Sequence, residues 1–511
     1  MIRARGREGG ERDKGREETP VHAAIVAAFG RNLVAQAARI ASNAVAPVAA
    51  GPHRSRRLAL CGPNRVGNPQ AIGQSGAMTD AAILTDLEAR GLVHDSTDRA
   101  ELAALLGAGP TSVYYGCDPT ADSLHAGNLI GLLVLRRLQL AGHRPIALAG
   151  GATGMIGDPS GRSDERNFLD DDTLAHNVGC LKEQISRFLD FEDGPNGATL
   201  VDNRSWTQDV TLIDFLRSVG KHFTVNQMVA KDSVRSRMEG DHGISFTEFS
   251  YMLLQAFDFA WLNEHHGCRV QIGGSDQWGN ITAGIDLSRR RGLAPAHGLT
   301  WPLMTRADGA KFGKTADGAV WLAAERTSPY AFFQYWVQAD DRDVEKFLWQ
   351  LTLLPLDEIA TLMEAHRAAP ERRTAQRRLA EEVTAIVHGA TATATAAEAT
   401  DVVFGRGARD PSAPALASLV DEIPTSRIAR AAFATAAELL DVLVTCGAAT
   451  SRSDARRALE QNGITVNGHR PAGTDAVLTL ADLAHDRYML VKRGKRQVYV
   501  VVVDDEHPAR S

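Results

Sequence analysis

Three times between Ser112 and Asn280 a short apolar run ends in glycine and then turns polar or helical, and few folds accept that rhythm. The runs are Ser112-Val-Tyr-Tyr-Gly116, Arg144-Pro-Ile-Ala-Leu-Ala-Gly150 and Arg269-Val-Gln-Ile-Gly273. Between the first two, Leu129 to Ala141 reads as a helix stopped by Gly142. Strands alternating with helices predict a parallel sheet with helices over its faces. The stretches Gly150-Gly-Ala-Thr-Gly-Met-Ile-Gly-Asp-Pro-Ser-Gly161 and Gly273-Gly-Ser-Asp-Gln-Trp-Gly-Asn280 then fall beyond the carboxyl ends of strands. Open α/β sheets bind their ligands there. The first stretch departs from the G-x-G-x-x-G spacing of a dinucleotide fingerprint and reads as the floor of a pocket.

Length predicts more than this one layer. At 511 residues the chain exceeds one ordinary domain and suggests roughly three. With 44% hydrophobic and 23% charged residues it has the composition of a globular protein, and a net charge of −6 gives no global attraction to nucleic acid. The first 77 residues are foreign to the rest, with no acidic residue between Glu18 and Asp80, and Met78 looks like a natural beginning. The acid-poor stretch has the look of a transit peptide, but Glu8, Glu11, Asp13, Glu17 and Glu18 contradict it. From Tyr330 onward aromatic and aliphatic residues recur at helical spacing, followed by a charged helix from Pro370 to His388. Ala390 to Thr400 and Arg406 to Pro424 read as linker, and Asn467-Gly468 is a hairpin signal in a small terminal unit. The expected division is an extension over 1–77, a catalytic domain over 78–328, a helical subdomain over 329–405, a linker over 406–435, a small domain over 436–503 and a tail over 504–511. Cys61, Cys117, Cys180, Cys268 and Cys446 form no C-x-x-C pair, so a reducing cytoplasm is expected, and no apolar run reaches membrane-spanning length.

Two motifs point to a nucleoside triphosphate. His125-Ala-Gly-Asn128 offers an imidazole and a small-residue helix start to a phosphate, and Lys311-Phe-Gly-Lys-Thr315 offers two ammonium groups on a glycine loop. Tyr251, Gln255 and Asp258 fall on one helix face, which reads as a pocket wall or as the polar edge of a core helix. Glu264-His265-His266 with Cys268 is better read as a helix end capped by Gly267 than as a metal site, and no other metal motif is visible.

Five blocks in order resemble a known family. They are Tyr115-Gly-Cys-Asp-Pro-Thr-Ala-Asp-Ser-Leu-His-Ala-Gly-Asn128, the Gly150–Gly161 stretch, Ser245-Phe-Thr-Glu-Phe-Ser-Tyr251, Gln271-Ile-Gly-Gly-Ser-Asp-Gln-Trp-Gly-Asn-Ile281 and Lys311–Thr315. Together they resemble class I aminoacyl-tRNA synthetases, specifically the bacterial tyrosyl enzymes, over nearly everything from Met78 onward. The resemblance implies a Rossmann-like α/β catalytic domain, an α-helical anticodon-side subdomain and a small α+β RNA-binding domain. It implies ATP as substrate with Mg2+, tyrosine and tRNA as partners, and a homodimer. His125, Lys311, Lys314 and Thr120 are then expected to act on the phosphates, and Gly116, Asp118, Asn128, Gly274 and Asp276 to complete the ATP site. Tyr114 and Asp258 are expected to face the substrate hydroxyl, Tyr251, Gln255 and Asp158 its ammonium, and Gln277 its carboxylate. Phenylalanine would leave Asp258 and Tyr114 unpaired, which costs more than a missing contact. Ala126 and Asn128 replace the usual central Ile and final His of the first signature, and Phe312, Gly313 and Thr315 vary the second, so Asn128 is expected only to position. Arg452, Arg456, Arg457 and Lys492 to Arg496 are candidate RNA contacts in the terminal domain, or ordinary solvated surface. Two rival readings are a tryptophanyl enzyme and a catalytically silent RNA-binding factor on the same scaffold.

Overall fold

A computed structural model describes residues 82–160, 169–239, 243–309, 312–315, 318–405, 410–434, 436–494 and 496–505. The expected N-terminal extension, the Met78 start and Lys311 lie outside the described residues. The chain divides into two compact units, the larger ending at Leu419 and the smaller beginning at Val420.

In the larger unit helices α1 (Ala82–Ala89) and α2 (Arg99–Gly107) lead into strand β1 (Ser112–Cys117). Helix α3 (Ala126–Leu140), β2 (Arg144–Ala149), α4 (Asp171–Ile185), β3 (Thr199–Asp202), α5 (Phe246–His266), β4 (Cys268–Gly274), α6 (Trp278–Arg290) and β5 (His297–Trp301) follow. The five strands lie in the order β3-β2-β1-β4-β5, every neighbour parallel. This is the α/β sheet that the alternation predicts. Chain order reverses between β1 and β4, which opens a crevice at their carboxyl ends. Val113, Ile146, Val270 and Ile272 are buried, as parallel strands covered on both faces must be. Gly267 caps α5 in the left-handed region (φ 61°), the helix end expected there.

The helical part of this unit comprises α7 (Pro329–Val337), α8 (Val344–Leu351), α9 (Leu356–Ala368), α10 (Thr374–Phe404) and α11 (Ala413–Leu419). Tyr330, Phe332, Phe333 and Trp336 are its fully buried core. The Ala/Thr stretch 390–400 is not linker: it is the second half of α10, whose two halves meet at a break at Gly389 (φ 84°, ψ 165°). Alanine is the best helix former, and Thr393 and Thr400 bond their hydroxyls back to the carbonyls of Gly389 and Ala396. Two buried arginines tie the α/β layer to the end of α8. Arg90 donates to the Leu354 carbonyl at 2.9 Å, and Arg137 of α3 donates to the carbonyls of Trp349, Gln350 and Thr352. Burial lowers the Arg137 guanidinium to about 9, yet those carbonyls, left over at a helix end, satisfy it.

The smaller unit has β6 (Thr425–Ala429), α12 (Leu439–Thr445), α13 (Arg452–Glu460), β7 (Ile464–Val466), β8 (Tyr488–Arg493) and β9 (Gln497–Asp504), with sheet order β7-β8-β9-β6. Within the expected linker, the described residues 410–434 carry α11 and β6 instead. Its prolines misled, since Pro414 stands in the first turn of α11, where a missing N–H costs nothing. Pro424 directly precedes β6, and its carbonyl accepts the Val500 amide at 2.9 Å. Asn467 and Gly468 both have positive φ (46° and 76°), as the hairpin signal requires.

Candidate active site

The crevice is walled by β1, β4 and α5. Tyr251, Gln255 and Asp258 are all buried on α5, and Tyr114 is buried on β1 where it pairs with Ile146 and Gln271. From these residues two hydrogen-bond networks extend.

The first holds two carboxylates. Tyr251 donates its phenol hydrogen to Asp118 Oδ2 at 2.8 Å, and Thr153 donates to Asp118 Oδ1 at 2.7 Å. Asn203 then donates to the Thr153 hydroxyl at 3.0 Å and to Asp258 Oδ2 at 2.9 Å. Trp206 Nε1 donates to Asp258 Oδ1 at 2.9 Å. Burial pushes the Asp258 carboxyl up to about 7, against the pull of Asn203 and Trp206. Desolvation and the Asp258 charge raise the Tyr114 phenol well above its ordinary range, so it remains a donor. Gly150 is required here, since a Cβ on it would lie 2.3 Å from Asp118 Oδ1. Asp118, expected at the nucleotide, is thus bonded to Tyr251 and Thr153.

The second network is built of amides. Gln277 donates to Asp158 Oδ2 at 2.6 Å, Gln255 donates to Gln277 Oε1 at 3.2 Å, and Asn280 donates to Gln255 Oε1 at 2.9 Å. Asp276 and Gly274 sit at the turn after β4, where burial and then the Asp158 charge raise the Asp276 carboxyl to about 6. Sequence reasoning missed Thr153, Asn203, Trp206 and Asn280. Asn203 and Trp206 follow directly after β3, a position at a strand's carboxyl end that was their only signal. Thr153 and Asn280 lay inside quoted motifs without a role.

The phosphate-type motifs meet at the start of α3. His125 is its N-cap, with Nδ1 accepting the Gly127 amide at 3.0 Å, while Asn128 Oδ1 accepts the His125 amide at 3.1 Å. A neutral His125 ring with Nδ1 accepting carries its proton on Nε2. The downstream loop docks on this turn. Ala126 donates its amide to the Val320 carbonyl, and Val320 donates to the Gly313 carbonyl, both at 2.8 Å. Gly313 has φ 70°, and a Cβ there would lie 3.2 Å from the Gly127 nitrogen. Its amide donates to the Tyr335 phenol at 3.2 Å, and Phe312 packs against Trp336 and Phe347. Lys314 forms a two-residue ladder with Ala319 through its backbone, while Thr120 and Gly116 are exposed at the crevice.

Comparison with known proteins identifies the family. Residues 107–405 match the family model for class I tRNA synthetases (W and Y), and residues 415–502 match the model for a tyrosine–tRNA ligase SYY-like C-terminal domain. The chain is 51% identical over 422 residues to the tyrosine–tRNA ligase of Opitutus terrae, covering 82% of this chain and 99% of that protein. It is 51% identical over 420 residues to that of Roseiflexus castenholzii, with the same coverage. Among solved structures, the C-terminally truncated mitochondrial tyrosyl-tRNA synthetase of Aspergillus nidulans superposes with a TM-score of 0.56 at 31% identity, covering 63% of this chain and 94% of that one. The chain belongs to the class I aminoacyl-tRNA synthetases as a member of the tyrosine–tRNA ligase family, ATP-dependent enzymes that activate tyrosine and charge tRNA with it.

Proposed function

We propose that the two networks hold tyrosine and that the α3 start with its docked loop holds ATP. The observation that carries this is the convergence of Tyr114, Tyr251, Gln255 and Asp258 at the β1/β4 crevice. The tyrosine carboxylate oxygen attacks the α-phosphorus, the bond to pyrophosphate breaks, and a ribose hydroxyl of tRNA then displaces AMP from the tyrosyl carbonyl. Little covalent work falls to the protein, so alignment and electrostatics must supply the rate. Tyr114 and Asp258 take the phenol, Tyr251, Gln255 and Asp158 the ammonium, and Gln277 the carboxylate. His125 Nε2–H, Lys311, Lys314 and Thr120 act on the phosphates, with Gly116, Asp118, Asn128, Gly274 and Asp276 completing the ATP site. Asp118 meets both substrates in this reading.

Mg2+ accompanies the nucleotide. Among the described residues no group of three His, Cys, Asp or Glu side chains is arranged for a metal. Bound with the nucleotide, the ion would neutralise charge on the phosphates. The terminal domain binds RNA through the exposed Arg456 and Arg457; Arg452 is engaged by Glu438 and Asp441, and Arg493 by Asp454. The helical subdomain takes the anticodon side. We further propose a cytoplasmic homodimer. Free cysteines, and the absence of any helix among the described residues long and apolar enough to cross a membrane, are consistent with the compartment. The dimer is supported by exposed apolar side chains between Leu212 and Phe246.

Pyrophosphate exchange tests the site. Tyrosine-dependent exchange that collapses in Lys314→Ala and survives in Arg456→Ala is expected; exchange unaffected by Lys314→Ala overturns the phosphate assignment.

A further inference from the structure

The indole that grips Asp258 is itself gripped. Trp206 belongs to a single short helical turn (Arg204–Thr207), and its ring lies flat on Trp261 of α5, centroids 4.2 Å apart and planes 10° from parallel. Trp261 in turn stacks with His265, 4.3 Å and 13°, and His265 Nδ1 approaches the Trp261 carbonyl at 2.9 Å. Asp258, Trp261 and His265 are spaced i, i+3 and i+7, so one face of α5 carries both the carboxylate and the ring that stacks on its donor. Burial grades outward along this column, from buried Trp206 through half-buried Trp261 to exposed His265.

An indole N–H lies in the plane of its ring. Whatever fixes the plane of Trp206 therefore fixes where that hydrogen points, and hydrogen bonds weaken as they depart from linearity. Flat stacking is such a constraint, worth more than the apolar area it covers.

We propose that Trp261 is a specificity-positioning residue: by holding the plane of Trp206 it keeps the indole N–H on Asp258 Oδ1, and so keeps that carboxylate aimed at the hydroxyl of the substrate. This rests on the reading that Asp258 faces the phenol. Phenylalanine lacks the hydroxyl and is indifferent to the aim, whereas tyrosine is not.

The test measures kcat/KM in pyrophosphate exchange for tyrosine and for phenylalanine on the same preparation of each variant. Trp261→Ala and Trp261→Leu are expected to lower the tyrosine value about tenfold, the scale of one weakened hydrogen bond to a charged group, with the phenylalanine value unchanged. Trp261→Phe, which keeps a flat ring, restores the ratio. Trp261→Leu retains apolar bulk and carries the test if the alanine variant does not fold. An unchanged tyrosine-to-phenylalanine ratio, or an equal fall for both amino acids, overturns the role of Trp261. Asp258→Asn separates the two levels: if it too leaves the ratio unchanged, the assignment of the phenol to Asp258 has failed, whereas a fall there with none at Trp261 rejects only the stack.

Discussion

Tyr251 and Asp118 join α5 to the loop after β1, the phenol donating to the carboxylate at 2.8 Å. Both groups are held by the fold before any substrate arrives. Replacing Tyr251 with Phe removes one hydrogen-bond donor from Asp118, at a cost of about 1–3 kcal/mol. The expected result is a KM for tyrosine raised roughly tenfold or more, on the conversion of 1.4 kcal/mol per decade. Steady-state exchange at varied tyrosine measures it, and an unchanged KM would show that Asp118 does not depend on this phenol.

Asp258 predicts a pH dependence. Its carboxyl is raised to about 7 by burial, from an ordinary value of about 4, so the folded chain holds this proton more tightly than the unfolded chain. Between those values the unfolded state binds fewer protons, and stability must fall as pH rises. Wild type is expected to lose stability from pH 5 to 8 relative to Asp258→Asn in urea unfolding. In the same range kcat/KM for tyrosine should rise as the carboxylate ionises and accepts the phenol hydrogen. A flat profile for both measurements would reject the assignment.

His125 has two jobs that different substitutions separate. As an N-cap it is replaceable by Asn, among the best residues there, whereas His125→Ala forfeits about 1 kcal/mol of helix stability. Neither replacement restores an imidazole. Both variants are expected to slow exchange about a hundredfold, the scale of losing one preorganised donor, while only His125→Ala shifts the denaturant midpoint. Full activity in His125→Asn would make the residue a cap and nothing more.

Gly313→Ala tests the docking of the glycine loop. Its φ of 70° and the 3.2 Å approach to Gly127 forbid a Cβ without movement, and left-handed backbone alone costs about 1 kcal/mol for alanine. The exchange rate is expected to fall with the KM for tyrosine unchanged, because neither crevice network proposed to hold tyrosine includes this loop. Equal effects on both would place the loop in the amino-acid pocket instead.

Phe246, Leu212 and Ile213 are 79%, 71% and 62% exposed, the apolar side chains proposed above for the dimer. Phe246→Asp combined with Ile213→Asp is expected to shift sedimentation from dimer to monomer. A species of unchanged mass would remove this surface from the interface.

The sheet was legible because its strands are short apolar runs ended by glycine, a pattern that local chemistry imposes. Tyr251, Gln255 and Asp258 were legible because helical periodicity alone puts them on one face. Asn203 and Trp206 were not, since nothing local distinguishes them from loop residues until β3 carries them beside Asp258. The linker reading of 390–400 failed for the opposite reason: an Ala/Thr composition is equally at home in a tether and in a helix, and only burial of Thr393, Ala396 and Thr400 decides. Lys311 lies outside the described residues, so its expected place rests on the motif.

Arg137 gives α3 a property that neither end shows alone. Fifteen residues make a rod of roughly 22 Å, with the His125 imidazole at its tip and, three turns along, a buried guanidinium locked into the carbonyls at the end of α8. Sliding the rod would strand that charge in a dry interior. The imidazole is therefore surveyed from a benchmark in the helical bundle, and a shift of that bundle would move His125 with it.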